Sequence, residues 1–315
     1  MNGSDKALRG MKPLKYFSLL ILTTLIMGTS FPVGKTAMLY APPFLLMGLR
    51  YVIAGVLLAV IVRKRPLPKG RRQWARVAVI GFFQTAGVMG CAYYSMKWLT
   101  SGESAILTFT SPLLVIVLSA VLEGAAYRLS QWGGVLLGLL GIAACFGFQM
   151  SFSPGTAIGF AGAVSFAIST LLVKWWGGEQ DAFVLTAYQM LAGGAMLLLL
   201  SLGTEKGHFF VSAASIGTLL WLVLVCSILQ FSIWFYLLLN GDPAKTSSFL
   251  FLAPLFGVLS SRIMLGEAIH GMMALGAAGI FIGIYFVNRR PLRSPTEFIE
   301  SETMRGKENA NSLTP

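Results

Sequence analysis

Charge is what this chain has least of. Asp, Glu, Lys and Arg make up 11% of its 315 residues, where a soluble domain carries about 25%. Only 12 residues are acidic, and none lies at the middle of a long apolar run. A proton relay built on an intramembrane carboxylate therefore finds no support. The two histidines, His208 and His270, are too few for a metal cluster. Without paired acids or an activated nucleophile inside the apolar runs, a membrane-embedded enzyme is disfavoured. Cys91, Cys145 and Cys226 are odd in number, lack C-x-x-C spacing and fall in apolar runs, so they read as small core residues. There is no Walker A pattern, which argues against ATP drive within the chain. No cofactor or metal is expected.

What is abundant is apolar surface. Hydrophobic residues make up 56% of the chain and the mean hydropathy is +0.74. A soluble core cannot absorb this much, so lipid must cover much of it. No Asp, Glu, Lys or Arg occurs from Leu129 to Val173, or from Gly207 to Gly241. Windows of about 20 apolar residues predict an all-α integral membrane protein with ten spans: 16–37, 43–62, 76–97, 102–122, 131–150, 156–175, 182–202, 214–238, 246–265 and 270–288. Ala41-Pro42-Pro43, Ser153-Pro154-Gly155 and Asn240-Gly241-Asp242-Pro243 punctuate them as turns. The first run lacks a small-residue cleavage site and reads as a retained helix. Residues 1–15 form a cytoplasmic segment, and the polar tail 291–315 is expected to be disordered.

Orientation follows from the basic residues. With a cytoplasmic N-terminus, only Lys35, Lys97, Lys206 and Arg262 of the 24 Lys and Arg fall outside, and Arg50 lies within a span. This is the positive-inside pattern, and ten spans return the C-terminus to the cytoplasm. The net charge of +12 is then an orientation signal, with some attraction to the lipid bilayer. It implies no nucleic acid partner.

The chain also repeats itself. A shift of 142 maps Tyr94 onto Tyr236, Pro112 onto Pro254, Gly134 onto Gly276 and Gly141 onto Gly283. A shift of 139 maps Ser30 onto Ser169, Lys35 onto Lys174 and Arg50 onto Gln189. The units are 16–150 and 155–290, each with five spans. An odd number of spans turns the second copy over, giving an inverted-topology repeat.

The run Gly28-Thr29-Ser30-Phe31-Pro32-Val33-Gly34-Lys35, then Pro42-Pro43 and Leu49-Arg50-Tyr51, then Pro254 and Leu265-Gly266-Glu267, resembles the drug/metabolite transporter superfamily. Within it, the likeness is to bacterial proteins with tandem EamA domains, over about residues 15–290. The first half departs from the pattern, with Glu123-Gly124-Ala125 displacing the acidic residue. The resemblance implies helices of both halves around a central cavity, in the bacterial cytoplasmic membrane. It implies outer helices that are peripheral or form a homodimer. It further implies secondary transport of small metabolites, amino acids or amphipathic compounds, most often exported. An importer or facilitative exchanger is the alternative. A non-transporting structural or lipid-scrambling protein is the alternative of another class.

Candidate site residues follow from cost. A charge inside a membrane tends to face a cavity or a partner, which selects Arg50 first. Lys35 and Lys174 lie near opposite ends of their spans, where they either bind substrate or gate it, or snorkel to headgroups. Tyr94 and Tyr236 match across the repeat and either line the cavity or belong to the interfacial belt. Gln189, with Gln84 and Gln230, is an amide that either bonds substrate or links helices. Pro32, Pro112 and Pro254 are expected to kink their spans. Gly134-x3-Gly138 and Gly279-x3-Gly283 are expected to pack helices closely, within one chain or between two. A small-molecule substrate is the expected partner.

Overall fold

The structure is a computed structural model that describes residues 13–99, 101–124, 127–145, 153–240, 246, 249–265 and 272–287. All regular secondary structure among these residues is helical. The helices are α1 (Pro13–Ala37), α2 (Pro43–Ile61), α3 (Gly70–Ser95), α4 (Ser101–Thr108), α5 (Ser111–Glu123), α6 (Leu129–Cys145), α7 (Pro154–Trp176), α8 (Ala182–Thr204), α9 (Ala213–Asn240), α10 (Leu252–Leu265) and α11 (Met273–Val287). Six of them, α1, α2, α3, α7, α8 and α9, are long and apolar enough to cross a membrane. The other four expected spans coincide with shorter apolar helices.

Three local features depart from the sequence expectation. The fourth span is not one helix: α4 ends at Thr108 and α5 restarts at Ser111 after a turn at Phe109–Thr110. Pro112 is thus the second residue of α5 and not a kink inside a continuous helix. A missing N–H costs nothing in a helix's first turn. Pro254 is likewise the third residue of α10, which follows a 3₁₀ turn at Phe249–Phe251. Pro32, by contrast, lies inside α1, which runs on to Ala37.

The third feature is a pair of π-helical segments, Phe82–Gly90 within α3 and Leu224–Leu229 within α9. Their first residues are separated by 142, the repeat shift itself. One extra residue per turn redirects the side chains that follow, and such segments recur at functional sites.

Packing repeats under the same shift. α2 and α8 run antiparallel, with Gly194 against Val52 and Gly55 against Leu191. α1 packs on α9 and α10, while α7 packs on α3, α4 and α5. α6 packs on α11. A Cβ on Gly134 would come within 2.8 Å of Gly283 O, and one on Gly141 within 2.6 Å of Gly276 O. These glycine contacts join two helices of one chain, so small residues let the backbones touch. Each half therefore buries its first helix against the other half.

The loops gather at two ends. At one end Arg65 pairs with Asp181 at 2.6 Å, Arg76 with Glu179 at 2.8 Å and Lys174 with Glu123 at 2.8 Å. At the other end Glu205 accepts from Phe44 N at 3.0 Å and Leu45 N at 2.9 Å, and Phe210 N donates to Tyr40 O at 2.9 Å. Pro43 opens α2, whose own N-cap, Pro42, makes no side-chain cap bond. A carboxylate from the second half supplies the cap and meets the positive end of the helix dipole.

Candidate functional site

Arg50 is 1% exposed in the middle of the bundle, although a charged side chain is costly to bury there. Groups from both halves bond its guanidinium at all three nitrogens. Nε donates to Ser227 Oγ at 2.7 Å, and Nη2 to the Cys226 carbonyl at 2.6 Å. Nη1 is 3.3 Å from both Ser30 Oγ and Tyr93 Oη. The Tyr51 ring lies 4.8 Å from its central carbon. Tyr93 Oη in turn donates to Ser30 O at 2.9 Å, and its ring fills the space a side chain at Gly34 would need.

The π segment explains why the Cys226 carbonyl is available. In an α-helix it would accept from the N–H four residues on. Here Gln230 N–H bonds the carbonyls of Val225 and Ser227 instead. Ser227 Oγ donates to Leu222 O at 2.9 Å, which points its lone pairs at Arg50.

The other half repeats this arrangement with neutral groups. Thr85 Oγ1 donates to Gln189 Oε1 at 2.7 Å, and Ser169 Oγ to Gln84 Oε1 at 2.6 Å. Gln189, Ser169, Thr85 and Gln84 are the shifted counterparts of Arg50, Ser30, Ser227 and Cys226. From the α2–α8 register, Gln189 is level with Leu57, about 10 Å along the axis from Arg50.

Electrostatically the centre is unbalanced. Every hydrogen-bond partner of Arg50 is neutral. The three ion pairs described above sit at one end of the bundle, and none includes Arg50. A buried cation satisfied only by dipoles can still attract an anion strongly in a low dielectric.

The remaining candidates are not brought to Arg50. Lys35 Nζ donates to Met96 O at 2.6 Å and Leu99 O at 3.5 Å, closing the end of α3. Lys174 pairs with Glu123, which also accepts from Trp175 Nε1 at 2.6 Å. Tyr94 stacks on Phe44 at 4.6 Å and takes Lys97 Nζ over its ring at 4.2 Å. Tyr236 packs beside Tyr16 and Leu20 near the start of α1. Glu103, Glu267 and His270 lie outside the described side chains. Sequence reasoning missed Ser227, Thr85, Ser30 and Tyr93 as partners. The shift of 142 pairs Thr85 with Ser227, so that hydroxyl pair was a usable signal.

A family model described as the EamA-like transporter family matches residues 14–147 and again 153–289. The chain belongs to this family. Its members are transporters and not enzymes, and the curated relatives agree. The uncharacterized transporter YvbV of Bacillus subtilis is 28% identical over 279 residues, covering 86% of this chain and 91% of its own. The uncharacterized inner membrane transporter YedA of Escherichia coli is 26% identical over 300 residues, covering 90% and 95%. A chloroplastic WAT1-related protein of Arabidopsis thaliana is 27% identical over 288 residues, covering 86% and 69%. A crystal structure that is 20% identical superposes with a TM-score of 0.73 over 88% of this chain and 97% of its own, a likeness of fold. This EamA-family chain is thus a multi-pass membrane transporter.

Proposed function

We propose that this chain is a secondary transporter of a bacterial cytoplasmic membrane that exports small carboxylates by alternating access. In this reading α4 with α5 forms the fourth span and α10 the ninth, so ten helices cross the membrane. The halves are inverted repeats with both termini in the cytoplasm, and they rock against each other around a site at their interface. The single observation carrying the substrate class is Arg50, a fully buried cation bonded only to neutral groups. A substrate carboxylate would supply the missing counter-charge, and a bidentate fork suits a guanidinium. Because Arg50 bonds α1, α3 and α9 together, exchanging those bonds for a substrate would loosen the contact between the halves. The two π segments supply the adjustable backbone for that motion.

The test is metabolite analysis of the medium from cells overproducing the intact chain or Arg50→Gln at equal abundance. That substitution copies the residue at the equivalent place in the other half. A carboxylate enriched only by the intact chain is the expected result. Identical profiles, together with equal uptake of carboxylates by proteoliposomes of either protein, would sink the proposal.

A further inference from the structure

Among the described residues, every buried side-chain nitrogen that lacks an acceptor belongs to one cluster: Gln189 Nε2, Gln230 Nε2 and Trp234 Nε1. Gln189 and Trp234 are fully buried and Gln230 is 3% exposed. Unpaired buried donors are destabilising and rare, so each calls for an explanation.

A chain of intermediate contacts links the three. Gln189 is bonded by Thr85, whose neighbour Gln84 is bonded by Ser169. One turn from Ser169 on α7, Phe166 meets the Trp234 ring edge-on at 5.9 Å. Gln230 and Trp234 are four apart on α9 and so share a face. Ser227, which bonds Arg50, lies one turn before Gln230 on the same helix. A polar track therefore runs from Arg50 through Ser227 and Gln230 to Trp234 along α9, and Gln189 is carried by α8, which packs against this part of α9. Aromatic rings lie beside it, with Tyr51 against Phe231 at 5.6 Å.

We propose that Gln189, Gln230 and Trp234 form a second substrate station, one to two helical turns along α9 from Arg50, that receives an uncharged hydrogen-bond acceptor. This rests on the reading of Arg50 as the carboxylate site. The polarity of the cluster sets the chemistry. Its three nitrogens only donate, and the unpartnered Tyr51 and Ser232 hydroxyls can donate as well as accept, so a substrate acceptor matches them all. All three are neutral, and neutral dipoles offset a second buried anion poorly. The substrate class is thus a monocarboxylate that carries a ketone, ester or amide carbonyl a few atoms from the carboxylate. Dicarboxylates and plain fatty acids fit less well.

The probes are pentanoate, 4-oxopentanoate and glutarate, titrated by calorimetry into the purified full chain in lipid nanodiscs. The keto acid should bind about fivefold tighter than pentanoate, the contribution of one neutral hydrogen bond, and tighter than glutarate. Gln230→Leu, Trp234→Phe and Gln189→Leu should each bring the keto acid toward pentanoate while leaving pentanoate affinity unchanged. That unchanged affinity also reports an intact fold, and Gln189 lies on a different helix from the other two. Equal affinities in the intact chain, tighter glutarate, or a keto-acid preference that survives all three substitutions would overturn the second station. Pentanoate binding that Arg50→Gln abolishes would leave the first reading standing in that event. If none of the three acids binds the intact chain, both readings fall together.

Discussion

Arg50 and Gln189 occupy equivalent places in the two halves, and each is held by a hydroxyl from a π segment. Arg50 Nε donates to Ser227 Oγ at 2.7 Å, and Gln189 Oε1 accepts from Thr85 Oγ1 at 2.7 Å. The scaffold is duplicated while the charge is not. Under the proposed function, a centre charged on one side alone would hold an anion off the midplane.

This asymmetry makes Arg50→Gln the most informative substitution for transport. It keeps a long polar side chain where the other half already tolerates one. Carboxylate flux into proteoliposomes is expected to fall about 10- to 150-fold, from the loss of a charge-assisted bond of ~1.5–3 kcal/mol. Arg50→Lys should not restore it, because an ammonium lacks the planar fork that reaches Ser227 and Cys226 together.

Ser227→Ala strands Arg50 Nε without an acceptor and should destabilise the chain by about 1–3 kcal/mol. Ser227→Thr copies Thr85 and keeps the hydroxyl, so it should retain most of the stability. Thermal unfolding of the purified variants measures both. An Ala variant as stable as the parent would contradict the bonding described here.

Gly283 lies on the α6–α11 seam and Gly133 faces away from it, so their alanine substitutions should differ. A Cβ at Gly283 would lie 2.8 Å from Gly138 N, whereas one at Gly133 meets nothing within 4 Å. The first is expected to cost about 1–3 kcal/mol by overpacking. The second should be neutral or gain about 0.5–1 kcal/mol, since a helical glycine is entropically costly. Parallel melting curves decide.

Glu205→Ala removes the cap that the second half places on α2. Losing bonds to Phe44 N and Leu45 N should cost about 0.5–2 kcal/mol. Hydrogen exchange should rise at the first turn of α2 before any change at Arg50.

The ion pairs contribute far less. Arg65 and Asp181 are 45% and 24% exposed, so Arg65→Gln should change stability by less than about 1 kcal/mol. That difference should vanish in high salt, as read from melting temperatures with and without added sodium chloride.

The sequence by itself determined the class and plan of this molecule. Long runs without charge demand helices whose backbones bond internally, because lipid offers no partner. Counting shifts between copies exposed the repeat, and a lone arginine in an apolar run marked the centre. These are local or periodic properties, legible along one chain. What only the tertiary structure decided is where each polar group finds its partner. Lys35 ends on the Met96 and Leu99 carbonyls, Lys174 on Glu123, and Arg50 on Cys226 and Ser227, more than 170 residues away. Each such bond depends on which helix faces come together, and the π segments that turn those faces carry no composition signal of their own. The break before Pro112 was hidden for a related reason: proline is compatible with a kink or a fresh helix start, and the choice rests on neighbouring helices.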